Sequence, residues 1–397
     1  MTETTTTTTG SAHIEVEWAH RSKQRQLISG DIFLSQRLRP EERVVSVLSD
    51  GLGSGVKASV LATLTATMAL KYAAGLDDLR ESAETIMDTL PVCRVRKISY
   101  STFSIADVSG QGETRVLEHG NPPFLLMRQG KAVSVHTETL RLARWQDRPL
   151  TRARFQLAVG DRLVLCSDGV TQSGMGQIGM PLGWGSEAFA RFVQELLEKE
   201  PDLSARLLAQ RVVDQAHAND GRAAKDDISC AVISFRHPRR LLVLTGPPFS
   251  RERDPELAEL ILHHPGRKAI CGGTTAGIVA RLLHRELEID LDGMDPEIPP
   301  GARMAGVDLV TEGTLTLART AELLESDTER PPANPAGALL EMMLESDIID
   351  FVVGTRINEA HQDPNIPVEL DLRRNIVKKI ARLLEQKHLK QVTARLV

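Results

Sequence analysis

Apolar runs rich in β-branched residues recur along the first 235 residues, and two of them end in the same way. Residues 43–51 read Arg-Val-Val-Ser-Val-Leu-Ser-Asp-Gly, and residues 161–169 read Asp-Arg-Leu-Val-Leu-Cys-Ser-Asp-Gly. Short runs of this composition, bounded by a turn dipeptide, are typical of buried β-strands. Each run therefore predicts a core strand that brings an aspartate, Asp50 or Asp168, to its carboxyl end.

Further acids adjoin predicted strands at the amino end. Asp31 precedes the apolar stretch 32–34, and Asp226-Asp227 precedes the alternating run 228–235. Carboxylates are depleted from sheets and are costly to bury unpaired. No basic cluster accompanies these acids, so they predict a cation site, and donors that are all oxygen favour Mg²⁺ or Mn²⁺ over zinc. A single Asp-Gly is an ordinary turn, so the prediction depends on the acids together.

From residue 238 onward the pattern changes to strand, loop and helix in alternation. Strands are predicted at 241–245, 268–271, 307–310 and 350–354, and helices at 255–263, 276–287, 314–324 and 373–385. Glycines stand in the loops that follow the strands. Such alternation predicts a smaller parallel α/β domain whose loops lie at the carboxyl edge of the sheet. We therefore place a domain boundary between residues 237 and 238.

One loop of this second region has the composition of an anion site. Gly272-Gly273-Thr274-Thr275 stands between a predicted strand and a predicted helix. Amides at a helix N-terminus, together with two hydroxyls, suit phosphate or another anion. Alternatively, the glycines only permit a tight turn from strand to helix. The sequence leaves both interpretations open and identifies no ligand.

Composition and charge narrow the class of protein. The chain has 397 residues, ordinary apolar and charged fractions, and a formal net charge of −5, which offers no footprint for nucleic acid. Its four cysteines form no CxxC pair or regular framework, which favours a reducing compartment. The Thr-rich residues 1–12 lack the pattern of a signal peptide and predict a disordered tail. No apolar stretch is long enough to cross a bilayer, so we predict a cytoplasmic location and no membrane partner.

Five strings, in this order and spacing, resemble a known family. They are SGDIF at 29–33, SDGLGSG at 49–55, EHGNPPFLL at 118–126, LVLCSDGVTQS at 163–173 and KDDISCAVI at 225–233. Together they resemble the metal-dependent PPM (type 2C) phosphatases, and within them the bacterial SpoIIE/RsbU type of serine/threonine phosphatase. The resemblance covers residues 13–237. It implies an α+β fold, the PP2C-like αββα four-layer sandwich, with metals at one edge of its two sheets.

The resemblance also implies a ligand set for two Mn²⁺ or Mg²⁺ ions. Asp31 and Asp50 match the acids that contact both metals, with Asp50 bridging them and the Gly51 carbonyl adding a neutral oxygen. Asp168 and Asp226 match the remaining ligands of one metal. Asp227 falls where the family often has Asn or Asp and is a weaker candidate. Two such cations activate a water molecule for in-line attack on phosphorus, and no phosphoenzyme is needed.

The function that the resemblance implies is hydrolysis of phosphoserine or phosphothreonine on a bacterial regulatory protein. In the best-known members of the family that partner is a small anti-anti-sigma protein of the STAS type. Two alternatives remain open: a catalytically silent scaffold that keeps the fold, and a bifunctional protein whose C-terminal domain binds a nucleotide or metabolite. The sequence also leaves open whether the chain forms a homo-oligomer.

Overall fold

The chain divides into two compact units, Met1–His237 and Pro238–Val397. The computed structural model describes residues 12–38, 42–53, 55–75, 79–89, 101–142, 149–290, 298–326, 331–356 and 366–397. The predicted tail, residues 1–12, lies outside the described residues except for Ala12.

The first unit combines two antiparallel sheets with helices. Its strands are β1 (His13–Arg21), β2 (Asp31–Leu38), β3 (Arg43–Gly51), β4 (Ser101–Val108), β5 (Glu113–His119), β6 (Leu125–Arg128), β7 (Lys131–Val133), β8 (Thr137–Leu140), β9 (Leu150–Gln156), β10 (Asp161–Cys166) and β11 (Ile228–Arg236). Its helices are α1 (Val56–Gly75), α2 (Leu79–Thr89), α3 (Asp168–Thr171), α4 (Ser186–Lys199) and α5 (Ala205–Asn219).

Each sheet of the first unit has its own helical cover. One sheet has the strand order β2-β3-β4-β5-β9-β8, and buried side chains of α1 and α2 pack against it. The other has the order β1-β11-β10-β6-β7, and α4 and α5 pack against it. In β3, Val45 and Val47 face the helices, whereas the buried Val44 and Leu48 alternate with them. Both faces of this strand are therefore buried.

Contacts between β1 and β2 join the two sheets. The rings of Trp18 and Phe33 lie 5.8 Å apart between centroids, and the Arg37 guanidinium donates a hydrogen bond of 2.7 Å to the Ile14 carbonyl. The layers thus follow the order helix, sheet, sheet, helix. This stacking places the ends of β2, β3, β10 and β11 near one another.

The second unit is built around one sheet. Its strands are β12 (Arg240–Thr245), β13 (Arg267–Cys271), β14 (Glu288–Asp290), β15 (Gly301–Met304), β16 (Val307–Thr311), β17 (Ile348–Val353) and β18 (Gln391–Leu396). Its helices are α6 (Asp254–His263), α7 (Gly273–Leu283), α8 (Thr314–Glu325), α9 (Pro335–Leu344) and α10 (Ile366–His388).

The sheet of the second unit is mixed, with the order β14-β15-β16-β13-β12-β17-β18. The five strands from β16 to β18 are parallel, and β14 and β15 pair antiparallel at one edge. Buried residues of α6 and α7 cover one face, and those of α8, α9 and α10 cover the other. The sequence did not predict β14, β15, α9 or β18.

The run 161–169 forms a strand that ends at Cys166, directly before Ser-Asp-Gly as the sequence predicted, and Asp168 begins the short helix α3. The predicted loop 272–275 was wrong, because Gly273, Thr274 and Thr275 form the first turn of α7. Gly272 alone makes the turn, with a φ of 137° that glycine adopts readily.

Candidate active site

Asp31 and Asp50 lie directly opposite each other on neighbouring strands. Asp31 begins β2, Asp50 lies near the end of β3, and the two are partners in the antiparallel register. The Gly51 amide donates to the Gly30 carbonyl over 3.1 Å and extends this pairing. Like charges in directly opposed positions destabilise a sheet, so this pair needs a compensating interaction.

The second sheet adds three acids to the same place. Asp168 begins α3 directly after β10, and Asp226 and Asp227 immediately precede β11. The charges of Asp168, Asp226 and Asp227 all act on Asp50 and raise its pKa. The structure thus brings all five sequence-predicted acids together at one edge of the two sheets.

Asp31 is the most buried member of this acid cluster. Its side chain is 1% exposed, and neither carboxylate oxygen has a hydrogen-bond partner. Burial raises the pKa of Asp31 to about 7, and the charges of Asp227 and Asp168 add to the rise. The hydroxyls of Ser167 and Ser229 lower it in part, although neither makes a hydrogen bond of ordinary geometry with the carboxylate.

Asp50 and Asp168, like Asp31, have raised pKa values. Burial, followed by the charge of Asp31, raises the pKa of Asp50 to about 9. Burial also raises the pKa of Asp168, with a contribution from the charge of Asp226. The Gln172 amide donates to Asp168 over 3.0 Å and partly opposes the rise. Buried acids with raised pKa values in one cluster are candidates for a functional site.

Asp226 and Asp227 have different surroundings. Asp226 is half-exposed, and the Lys23 ammonium lies 3.7 Å from one of its oxygens, a solvent-exposed pair that contributes little stability. Asp227 is buried, and its two oxygens accept hydrogen bonds from the Lys23 amide over 2.8 Å and the Gly30 amide over 2.9 Å. Asp227 therefore fixes the chain segment that leads into Asp31.

The serine of each Ser-Asp-Gly string fixes a neighbouring segment. The Ser49 hydroxyl lies 2.6 Å from the Ser101 hydroxyl, which donates to the Asp50 carbonyl over 2.8 Å. The Ser167 hydroxyl accepts from the Ser229 amide over 3.0 Å. We did not identify these serines from the sequence, although the repetition of Ser before Asp-Gly was the signal that could have revealed them.

The glycines of the two strings are required by close packing. A Cβ on Gly51 would lie 2.2 Å from the Ala58 carbonyl oxygen of α1, and a Cβ on Gly169 would lie 2.1 Å from the Asp227 carbonyl oxygen. Neither position has room for a side chain. At Gly51 the absent side chain admits α1, which couples the position of that helix to the adjacent Asp50.

Cys166 lies beside this cluster and is a core residue. It is 1% exposed and packs in the core between its sheet and α4 and α5. Burial raises the pKa of its thiol well above the ordinary value. A neutral buried thiol is a poor nucleophile, so the chemistry of this site belongs to the carboxylates.

The donors of the acid cluster fit a divalent-metal site in kind. Within the described ranges, no group of three or more His, Cys, Asp or Glu side chains is arranged to hold an ion as it stands. The two unpartnered oxygens of Asp31 are nevertheless buried, and burying a carboxylate without a partner is costly. Hard oxygen donors with mutually raised pKa values are what Mg²⁺ or Mn²⁺ would stabilise.

Comparison with known proteins identifies the region around this site. Residues 40–236 match the family model of Stage II sporulation protein E (SpoIIE). The match starts after Asp31 and includes the other four acids. The Stage II sporulation protein E of Bacillus subtilis (strain 168) is 24% identical over 230 residues. These cover 58% of this chain and 26% of that protein, so the chain spans about a quarter of the length of this relative.

Two solved structures also resemble the chain. A structure of the phosphatase domain and a regulatory fragment of SpoIIE from Bacillus subtilis has a TM-score of 0.46 and 21% identity, covering 58% of this chain and 64% of that one. The RsbU and RsbW domains of a Mycobacterium tuberculosis protein have a TM-score of 0.47 and 17% identity, covering 69% and 73%. In the described parts of the chain, no helix has both the length and the apolar character to cross a membrane. Residues 40–236 are a domain of the SpoIIE family, whose members are PP2C-type phosphatases.

Proposed function

We propose that the first unit is a metal-dependent phosphatase that removes phosphate from phosphoserine or phosphothreonine of a bacterial regulatory protein. The observation that supports this most directly is the acid cluster, in which a buried and unpartnered Asp31 faces Asp50. The cluster lies within and directly before the region that matches the phosphatase family. A binding scaffold would have no need to bury mutually repelling carboxylates.

In this proposal, Asp31, Asp50, Asp168 and Asp226 hold two divalent cations, Mn²⁺ or Mg²⁺, together with the carbonyl of Gly51. The chemistry that such cations supply is activation of a water molecule at neutral pH and neutralisation of the phosphoryl oxygens. Asp227 is engaged by the Lys23 and Gly30 amides, which favours a positioning role over a ligand role.

The remaining residues of the site position the acids. Ser101 holds the backbone of Asp50 through its carbonyl, and Gln172 orients the carboxylate of Asp168. Among the acids themselves, Asp31 is almost fully buried and Asp226 is half-exposed, so the cluster extends from the interior to the solvent.

We extend the proposal to the partner and the location. A small anti-anti-sigma protein of the STAS type is the substrate that the motif resemblance favours, and a cytoplasmic location is consistent with such a partner. The specific substrate is tested by presenting the purified phosphatase with phosphorylated candidates.

The first experiment measures hydrolysis of a phosphoserine peptide and of p-nitrophenyl phosphate, with and without Mn²⁺. We expect metal-dependent turnover by the wild type and a loss of at least a hundredfold, about 3 kcal/mol, in Asp50→Asn and Asp168→Asn. Asp214→Asn is the matched control, because Asp214 lies on α5 and its ion pair with Arg21 is exposed to solvent. It should keep wild-type activity.

The same assay separates the phosphatase from the scaffold. Wild-type protein that is folded but inactive with Mn²⁺ and Mg²⁺ on every phosphorylated substrate would indicate a silent scaffold. Equal activity in wild type and Asp50→Asn would show that the turnover arises elsewhere.

A further inference from the structure

The parallel strands of the second unit reverse their order at β12 and β17. Along the chain the sheet grows from β12 to β13 and β16 on one side, and then to β17 and β18 on the other. Open α/β sheets bind ligands at their carboxyl edge near such a reversal. Here the two loops at the reversal are joined, since the Gly354 amide donates to the Thr245 carbonyl and the Arg356 amide to the Pro247 carbonyl. The backbone groups of these two loops are therefore hydrogen-bonded to each other, and the nearest uncapped helix N-terminus lies one strand away, after β13.

That neighbouring position is the N-terminus of α7. Its N-cap residue is Gly272, no side chain caps it, and its first turn contains no acidic residue. The first hydrogen bond of the helix runs from the Ala276 amide to the Gly272 carbonyl, so the amides of residues 273–275 precede it. A Cβ on Gly273 would meet nothing within 4 Å. The side of Gly273 that a Cβ would occupy is consequently open.

Two buried hydroxyls without partners adjoin this N-terminus. The Thr275 side chain is 1% exposed, and its Oγ1 has no hydrogen-bond partner. It lies 3.5 Å from the point that a Cβ of Gly272 would occupy, so the hydroxyl faces the turn. The Thr245 hydroxyl is also fully buried and unpartnered, and Thr245 pairs with Cys271 directly before that turn. Buried polar groups of this kind call for a ligand or a water molecule.

Arginines supply positive charge to the same edge. A guanidinium nitrogen of Arg373 lies 2.7 Å from the Cβ position of Gly246, the residue that follows Thr245. The same Cβ position lies 2.9 Å from the Gly354 carbonyl oxygen, so this guanidinium lies beside the end of β17, the strand on the other side of β12 from β13. Arg356 and Arg281 both bond to the buried Asp254, which leaves the three-residue group with an excess of one positive charge.

Helix α8 shows how this fold closes a helix N-terminus that needs no ligand. It follows β16 just as α7 follows β13, and the Glu312 carboxylate accepts from the Leu315 amide over 2.9 Å. A glycine turn alone would thus account for the path of the chain at Gly272. The buried hydroxyl of Thr316, third in α8 as Thr275 is third in α7, also has no partner, so what distinguishes α7 is the absence of a carboxylate that accepts from its first amides.

We propose that this carboxyl edge binds the phosphate group of a phosphorylated small molecule. The amides of Gly273 and Thr274 and the hydroxyl of Thr275 donate to its oxygens. A phosphate accepts several hydrogen bonds at once and is favoured at the positive end of a helix dipole. The second unit is then a sensor of a phosphorylated metabolite or nucleotide, which is a role separate from the proposed phosphatase.

The test uses the full chain labelled with ¹⁵N-glycine, in chelator, and titrates inorganic phosphate while amide signals are recorded. The chain contains 29 glycines, so Gly272 and Gly273 can be assigned from variants. Phosphate should be added to about 10 mM, ten times a Kd of about 1 mM. We expect saturable shifts of the Gly272 and Gly273 signals.

Two matched variants decide the outcome. Gly273→Asp places a carboxylate where the phosphate would lie, whereas Gly277→Asp adds the same charge one turn further along α7, also into open space. Gly272 should shift with phosphate in the wild type and in Gly277→Asp, but not in Gly273→Asp. Thr275→Val should raise the Kd about tenfold.

Absence of a shift at Gly272 and Gly273 in the wild type would overturn the proposal. So would an equal shift of Gly272 in Gly273→Asp. Because the titration is read at α7 and runs without metal, its result does not depend on whether the first unit is a phosphatase.

Discussion

The two units of this chain both collect polar groups at the ends of their strands, but with opposite electrostatic character. In the first unit the strand ends carry Asp31, Asp50 and Asp168, with raised pKa values. In the second, the ends of β12 and β13 carry hydroxyls, an uncapped helix N-terminus and a nearby arginine. The sign of the groups gathered at a sheet edge, more than the architecture of the sheet, therefore decides which ligand the edge favours.

The surroundings of the glycines also differ between the two units. Gly51 and Gly169 are sites of close packing, where a Cβ would fall on a backbone carbonyl. Gly273 is open, and a Cβ there would meet nothing. Gly51 and Gly169 therefore allow close packing in the first unit, whereas Gly273 leaves the start of α7 open in the second.

The largest expected effect comes from filling the packed position. Gly51→Ala places a methyl group 2.2 Å from the Ala58 carbonyl oxygen, so α1 or β3 must move. We expect the first unit to lose about 3 kcal/mol of unfolding free energy, together with its phosphatase activity. Urea denaturation and the phosphopeptide assay measure both.

Gly75→Ala is the control for this prediction. Gly75 is the last residue of α1, and a Cβ there would meet nothing within 4 Å. It should leave stability within about 0.5 kcal/mol of the wild type. If Gly51→Ala kept the same stability and activity as Gly75→Ala, close packing at Gly51 would not be required for the position of Asp50.

Thermal unfolding measured as a function of pH tests whether the pKa of Asp50 is raised in the folded first unit. Burial raises the pKa of Asp50 from 3.8 to about 9, so the folded state keeps a proton that the unfolded state loses. In chelator, unfolding is then favoured increasingly as the pH rises from about 4 to about 9. We expect the first thermal transition to fall between about pH 5 and about pH 8, and Asp50→Asn to melt higher than wild type at the upper pH by on the order of 5 °C.

Asp214→Asn should follow the wild-type pH dependence, since that residue is exposed and outside the cluster. A melting temperature that rises toward pH 8 in chelator would contradict a raised pKa for Asp50 in the folded state. Adding Mn²⁺ should reduce the loss at high pH, because a cation bound only by the folded state stabilises it.

The smallest expected effect is on stability, and it comes from changing the acidic group at the N-terminus of α8 or α7. Glu312→Ala removes the carboxylate that accepts from the Leu315 amide, and it should cost the second unit about 1 kcal/mol. Gly273→Asp introduces an acid at the equivalent end of α7 and should stabilise it by about 0.5 kcal/mol. Chemical denaturation of the full chain measures both, and phosphatase activity should stay unchanged in each.

Local hydrophobic patterns in the sequence predicted the positions of most strands. The β-branched runs ending at Asp50 and Asp168 gave β3 and β10, and the alternation after residue 238 gave most of the second sheet. Strand β18 was missed because its alternating polar and apolar pattern is only six residues long and contains no continuous apolar run of the kind that marked the other strands.

Contacts between residues far apart in the sequence could not be predicted from local patterns. Asp227 is held by amides at Lys23 and Gly30, about two hundred residues away. The steric need at Gly51 depends on how α1 turns back over β3, and an Asp-Gly dipeptide alone suggests only a turn. The acids of the site were predictable from the sequence, whereas the groups that position them were not.

The pairing of β1 with β11 has a consequence for how the protein forms. Residues 13–21 pair in full register with residues 228–236, so β1 leaves the ribosome well before its partner and has to wait for β11. Sequence separations of this size slow folding. During synthesis, Asp31 and Asp50 exist before Asp226 and Asp227, and the nascent chain acquires a complete set of acids only when the final strand closes the sheet.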